Sequence, residues 1–239
     1  MKPMKISGFY KMLLIAVLSL ANLRPSIADP MLLLTGADVS SHSSYDYVGG
    51  ILQLGHSGGE SGVIAKAWFD HLRYDYKAAD TKVYTSSNGV QAAIGYQWLR
   101  ADGFATASLG IESRDTSSSP LILPAQNGYN RHLISAVSSI SLAQDISKDA
   151  VFDGIASYTD KSRDYWSRAR ILAKTTGSLR WGPELVLQGN PDYSAYRLGV
   201  ALAGIPVGEK TRLEGNAGYA KTRGVGGGIY MGISLALPF

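Results

Sequence analysis

The sequence predicts an all-β fold: a closed antiparallel transmembrane β-barrel of about 12 strands. Three observations carry the prediction. Segments of about ten residues alternate between apolar and polar positions. Turn-rich stretches of two different lengths separate them, and aromatic residues gather near the segment ends.

The chain has 239 residues, among them 27 Gly and 14 Tyr, a composition that suits neither a helical nor a disordered protein. Its first part is read separately. Lys2, Lys5 and Lys11 flank a short apolar run, Met12 to Ala21, and Ser26-Ile27-Ala28 supplies small residues before Asp29. This is the pattern of a secretory signal peptide; the run is too short to span a bilayer. Residues 1–28 are therefore expected to be removed, leaving a barrel domain over 29–239.

Export changes the charge argument. Residues 1–28 hold four of the 23 Lys and Arg and no acid, so the remainder carries 19 charges of each sign. The basic isoelectric point thus belongs largely to the leader, and no nucleic-acid partner is expected. There is no cysteine, which excludes disulfides, thiolate metal sites and thiol nucleophiles.

The alternating segments run Leu32–Ser40, Tyr47–Gly55, Gly62–Tyr76, Val90–Leu99, Phe104–Arg114 and Arg131–Leu142. They continue as Val151–Tyr158, Tyr165–Thr175, Leu179–Gln188, Tyr196–Gly204, Arg212–Ala220 and Ile229–Phe239. Ten strands would follow if the first segment and one weak neighbour stayed outside the wall. Short connections (56–61, 100–103, 145–149, 176–178, 207–210) alternate with a mostly longer, more polar set (41–46, 77–89, 115–130, 159–164, 189–195, 221–228). Such alternation predicts an outer-membrane barrel with both termini in the periplasm and the longer loops outside.

The last segment shows the two faces of a strand. Ile229, Met231, Ile233, Leu235, Leu237 and Phe239 share one side, and Gly232, Ser234 and Ala236 the other. In the ninth, Trp181, Leu185 and Leu187 oppose Arg180, Glu184 and Gln188. Charges of both signs on the polar face, in mid-strand, suit a wet interior with lipid outside. The same reasoning places Lys66, Asp70, Glu112 and Arg114 in the lumen. It does so too for Asp153, Arg168, Arg170, Lys174, Arg197, Arg212 and Glu214. They read either as an ion-pair network that plugs a narrow barrel or as a polar lining for a solute.

Tyrosines fall almost entirely beside the longer connections. Tyr45, Tyr47, Tyr74, Tyr76, Tyr84 and Tyr129 lie there, as do Tyr158, Tyr165, Tyr193, Tyr196, Tyr219 and Tyr230. Tyr96, Trp98, Phe104, Trp181 and Phe239 mark the opposite rim. Two belts at the two membrane interfaces are the first reading. The second is a stacking surface for sugar rings, built on Tyr74, Tyr76, Tyr165, Trp166, Tyr193 and Tyr196.

Evidence for catalysis is thin. His42, His56, His71 and His132 show no metal-ligand spacing, and Asp70 and His71 are adjacent and so face opposite sides of a strand. Ser108, Ser138 and Ser157 are candidates for an interior hydroxyl, but no G-x-S-x-G elbow is present. The Gly-rich run 224–228 lacks the Lys and helix of a phosphate loop. No enzyme, cofactor or metal is expected.

One cluster is more specific. Trp181-Gly182-Pro183-Glu184 is followed by Gly189-Asn190-Pro191-Asp192-Tyr193 and Tyr196-Arg197-Leu198-Gly199. Gly49-Gly50, Trp68-Phe69, Arg73-Tyr74-Asp75-Tyr76, Gly95-Tyr96-Gln97-Trp98 and Gly218-Tyr219-Ala220 agree in order. The chain resembles, over about residues 35–239, the bacterial cellulose biosynthesis protein BcsS family. The resemblance implies a non-enzymatic outer-membrane accessory of cellulose secretion, with lipid, a glucan chain and other secretion components as partners. It supplies no catalytic residues. A small-solute pore and an outer-membrane hydrolase are the alternatives. Within the cluster, Pro183 beside Gly182 predicts a bulge that aims Glu184 into the lumen toward Arg197.

Overall fold

A computed structural model describes residues 31–54, 60–78, 81–119, 131–175 and 177–239. The expected leader, most of the 56–61 turn with His56, and Tyr129 lie outside the described residues.

Twelve antiparallel strands form the wall. They are β1 (Met31–Ser40), β2 (Ser43–Leu54), β3 (Gly62–Ala78), β4 (Thr81–Arg100), β5 (Gly103–Ser119) and β6 (Arg131–Ser147). Then follow β7 (Ala150–Thr159), β8 (Tyr165–Lys174), β9 (Arg180–Gly189), β10 (Ser194–Val207), β11 (Thr211–Thr222) and β12 (Gly226–Pro238). Each strand pairs with its neighbours in sequence, and β1 pairs with β12 from Leu32↔Pro238 to Ser40↔Tyr230. Closure leaves no edge whose N–H and C=O groups would face lipid unpaired. Both ends of the described chain meet on one rim, where the Phe239 N–H donates to the Met31 carbonyl at 2.8 Å. This is called the terminal rim below; the other is the loop rim.

Period-two alternation sets the two faces. Along β12, Ile229 is 71% exposed, Tyr230 0% and Met231 57%. Leu109, Ile111, Ile94 and Leu198 are likewise exposed on the outside. Tyr84, Tyr158, Tyr165, Tyr196 and Tyr219 are exposed toward the loop rim, and Tyr96, Trp98 and Trp181 toward the terminal rim. An apolar band between two aromatic girdles is the outer surface that a bilayer requires.

Two expectations are corrected. The stretch 77–89 is mostly strand, because β3 reaches Ala78 and β4 begins at Thr81. Its polar residues pair across the ladder: Thr85 bonds Ser118 at 3.0 Å and Ser87 bonds Thr116 at 2.8 Å. Cross-strand hydroxyl pairs sustain a strand whose composition reads as loop. The start of the 115–130 connection is strand for the same reason, to Ser119.

The predicted bulge at Pro183 does not form. Glu184, Pro183 and Gly182 pair in regular register with Gly199, Val200 and Ala201. On the other side, pairing stops after Arg170↔Glu184 and resumes in the same register at Ala173↔Trp181. Pro183 thus interrupts one ladder without adding a residue to the strand. A register shift falls instead in β10 between Leu202 and Ile205, where Gly204 adopts φ +76° and its carbonyl accepts from Ser178 Oγ at 2.7 Å. Only glycine adopts that backbone without strain.

Candidate functional site in the barrel lumen

A cavity of about 1250 Å³ occupies the lumen. Its lining runs from Gln53, Gln97 and Phe104 near the terminal rim to Tyr76, Ser118 and Arg131 near the loop rim. The side of the barrel built by β8–β12 is filled with paired charges. The side built by β2–β7 presents aromatic rings and hydroxyls.

On the filled side, Arg170 is 4% exposed and forks between two carboxylates. Its Nε reaches Asp153 Oδ1 at 3.1 Å and its Nη1 reaches Glu214 Oε2 at 3.0 Å. Arg168 adds a longer contact to Asp153, 3.5 Å from Nη2. Glu184 is buried at the level of Arg170, its partner in the β8–β9 register. Its Oε1 accepts from the Tyr230 hydroxyl at 3.0 Å. Tyr230 stands on β12 and reaches β9 because Gly218 and Gly199 leave the intervening strands bare; a Cβ at either would overlap its ring or hydroxyl.

The Glu184–Arg197 ion pair that the motif suggested is not the pairing found. The β9–β10 register sets Glu184 opposite Gly199 and Arg197 opposite Val186, so the two are diagonal. Arg197 instead lies 3.8 Å from Asp38 on β1 and its guanidinium sits 5.6 Å above the Tyr230 ring. Tyr230 joins the two residues by touching both. Glu184 Oε2, Asn216 Oδ1 and Arg168 Nε are buried without a hydrogen-bond partner among the described residues.

On the open side, Arg114 binds two carboxylates at once. Nη1 and Nη2 reach Asp70 at 2.9 and 3.0 Å, and Nε and Nη2 reach Glu112 at 2.9 and 3.1 Å. Bidentate, charge-assisted pairing is what keeps ions tolerable away from bulk water. Lys66 has hydroxyl partners instead, Ser139 at 3.0 Å and Ser108 at 3.4 Å. Tyr47 and Trp68 stack with centroids 4.9 Å apart and planes 14° apart, and Trp68 Nε1 donates to the Tyr45 hydroxyl at 3.2 Å. Tyr47 lies over Gly36 and Trp68 over Gly49, places where a Cβ would overlap the ring.

The loop rim is bridged. Tyr74 on β3 and Tyr193 after β9 have centroids 4.6 Å apart. These strands stand six apart in a ring of twelve, on opposite walls. Asn190 Oδ1 accepts the Asp192 and Tyr193 amides at 3.0 and 2.9 Å, which shapes the turn. Its Nδ2 donates to Asp164 at 3.0 Å and to the Tyr74 hydroxyl at 3.4 Å. Gln188 donates to the Tyr193 hydroxyl at 2.7 Å.

The remaining predicted residues divide by position. Arg180 and Arg212 line a second cavity of about 290 Å³ toward the terminal rim, and Lys174 pairs with Asp145 at 2.6 Å. Trp166 lies under Arg168, 5.9 Å from ring to guanidinium, and Tyr76 lines the lumen. Tyr196 is exposed on the outside, at a belt position, and Tyr165, also exposed, borders the luminal cavity. Tyr45, Tyr47, Tyr74, Tyr76 and Tyr193, expected in a belt, line the lumen, and Tyr230 is buried inside against Glu184. Strand parity carried the signal: Trp68 shares a face with Lys66 and Asp70, and Tyr230 with Gly232 and Ser234. Asp38 was missed in the same way.

Among the described residues, the histidines and serines singled out by sequence lie on different faces of the wall. His71 bonds Asn88 at 2.7 Å, and exposed His132 bonds Asp115 at 2.8 Å. Ser138 is on the outer face, while Ser108 is inside. Lys66 and Ser139 have the spacing of a base and a nucleophile, but pairing is continuous through Ser108 and Ser139 on the strands beside them. Their backbone amides are committed to the ladder and offer no oxyanion site. Among the described residues no group of three or more His, Asp or Glu could hold a metal.

Solved structures with a similar trace include outer-membrane proteins. The KdgM porin is 10% identical, TM-score 0.48, with 87% of this chain and 99% of that one covered. The translocator domain of autotransporter NalP from Neisseria meningitidis is 8% identical, TM-score 0.49, covering 97% and 96%. An outer membrane channel from Pseudomonas putida is 10% identical, TM-score 0.48, covering 91% and 97%. No curated protein matches the chain. The family model described as cellulose biosynthesis protein BcsS matches residues 32–239, all of the barrel just described but Met31, and the chain belongs to that family.

Proposed function

We propose that the chain is exported, inserts in the outer membrane with its termini in the periplasm, and serves cellulose production there without catalysing a reaction. The observation that carries the reading is the coincidence of the family match with the barrel: residues 32–239 include every strand but the first residue of β1. The apolar band between aromatic girdles supports the membrane, and the signal-like leader supports export. Glucan and other secretion components are the partners that fit.

The test is a strain deleted for the gene and complemented with wild type, scored for secreted cellulose by dye binding and linkage analysis. Secretion lost on deletion and restored on complementation is the expected result. Unchanged cellulose with altered small-solute permeability would remove this reading and favour a general pore, which the cavity reaching toward both rims also supports.

A further inference from the structure

The two sides of the lumen differ in what they offer a solute. On the filled side the charges are mostly spent on one another. On the open side, half-buried Tyr47 and Trp68 form a stacked aromatic surface, held against the wall by Gly36 and Gly49. Beyond them, the cavity is lined by Gln91, Thr106 and Ser141. Among the described residues these three make no side-chain hydrogen bond within the protein. Each therefore has donors and acceptors left for a ligand or water.

We infer that this side of the lumen is a binding track for an uncharged, polyhydroxylated chain, a neutral glucan. Sugar rings present C–H faces that pack on aromatic rings and rim hydroxyls that bond amides and alcohols. The carboxylates within reach are already engaged: Arg114 satisfies Asp70 and Glu112 in a single fork. A carboxylated glycan would find Lys66, held by serine hydroxyls instead of an acid, in mid-lumen, and Arg131, Lys161 and Arg163 on the same cavity's lining. It is the competing ligand. The inference rests on the proposed role in cellulose production and names what the lumen takes.

The experiment uses the folded barrel in detergent and in planar bilayers, with cellohexaose and an oligogalacturonate of equal length. Cellohexaose is expected to quench tryptophan fluorescence and interrupt ion current saturably, and the charged oligomer to do neither. Trp68→Ala is expected to weaken the current block about tenfold, an ordinary loss for one stacking ring in a lined channel. Trp181→Ala, on the outer face, should leave it unchanged. If Trp68→Ala fails to give the heat-modifiable gel band of a folded barrel, Gln91→Ala, opposite Trp68 in the β3–β4 register, replaces it, with a severalfold weakening expected. Oligogalacturonate binding as tightly as cellohexaose, or cellohexaose block unmoved by these variants, would overturn the inference. Secretion lost on deletion without cellohexaose binding would overturn the track and leave the cellulose role. Binding by a barrel whose deletion leaves secretion intact would do the reverse.

Discussion

Tyr230 donates its hydroxyl to Glu184 across two intervening strands, 3.0 Å from Oη to Oε1. The row that permits this runs Tyr230, Gly218, Gly199, Glu184, each opposite the next in register. Two glycines on the consecutive strands β10 and β11 thus let one phenol close over a buried carboxylate. Glu184 Oε2 has no hydrogen-bond partner among the described residues, so that hydroxyl is the bond the carboxylate has there. Tyr230→Phe is expected to destabilise the barrel by about 1–3 kcal/mol, the usual effect of leaving a buried acceptor unmet. Gly199→Ala should destabilise by a similar ~1–3 kcal/mol through overlap with the phenol. Urea unfolding from detergent checks both; Tyr230→Phe at wild-type stability would show that the bond is dispensable.

Arg170 supports a second prediction. Arg170, Asp153 and Glu214 border both the main cavity and the smaller one toward the terminal rim. The fork is therefore a partition as well as a pairing. Arg170→Met strands two carboxylates and is expected to destabilise by about 3–5 kcal/mol. Glu214→Gln keeps the volume, removes one charge, and should raise single-channel conductance by loosening the partition. A conductance that does not change with Glu214→Gln would mean that ions do not pass this point.

The bridge at the loop rim is a third. Tyr74 and Tyr193 meet from opposite walls, and Asn190 fixes the turn that carries Tyr193. Tyr193→Ala should widen this mouth, raising the entry rate of oligosaccharides in liposome swelling. Asn190→Ala should have the same sign, and cost about 1 kcal/mol or less in stability because the turn is solvated. Slower swelling in either variant would contradict a bridge that obstructs entry.

The wall was legible because one physical rule, alternation with period two, is written into each segment. Deciding that Ile229 faces lipid also decides that Gly232 faces the lumen. What stayed hidden was set by relations between strands. The Glu184–Arg197 pairing depended on the stagger of β9 against β10, which the Gly189–Tyr193 turn chemistry does not specify. Aromatic residues were harder still: a ring suits a membrane interface and a lumen equally, so Tyr47 reads as girdle, although its register partner Asp70 turns to the lumen. The polar ends of β4 and β5 read as loop because Ser and Thr are frequent in both, and only their pairing across the ladder distinguishes the two.

That same parity yields the sharpest test of which face meets lipid. Leu109 and Ser108 are neighbours on β5, at a height where both flanking ladders are continuous. Leu109 is 70% exposed and Ser108 5%. If the outer face lies in hydrocarbon, Leu109→Arg places an ion where no water solvates it, and about 2–4 kcal/mol should be lost. Leu109→Ala should lose far less, since the removed side chain gave up lipid contact and left no cavity in a packed core. A soluble barrel would give the opposite order, with the exposed arginine harmless. The measurement is refolding into lipid vesicles under denaturant. An arginine variant as stable as the alanine one would show that this face is not in the membrane, and the charged lumen would then need another explanation.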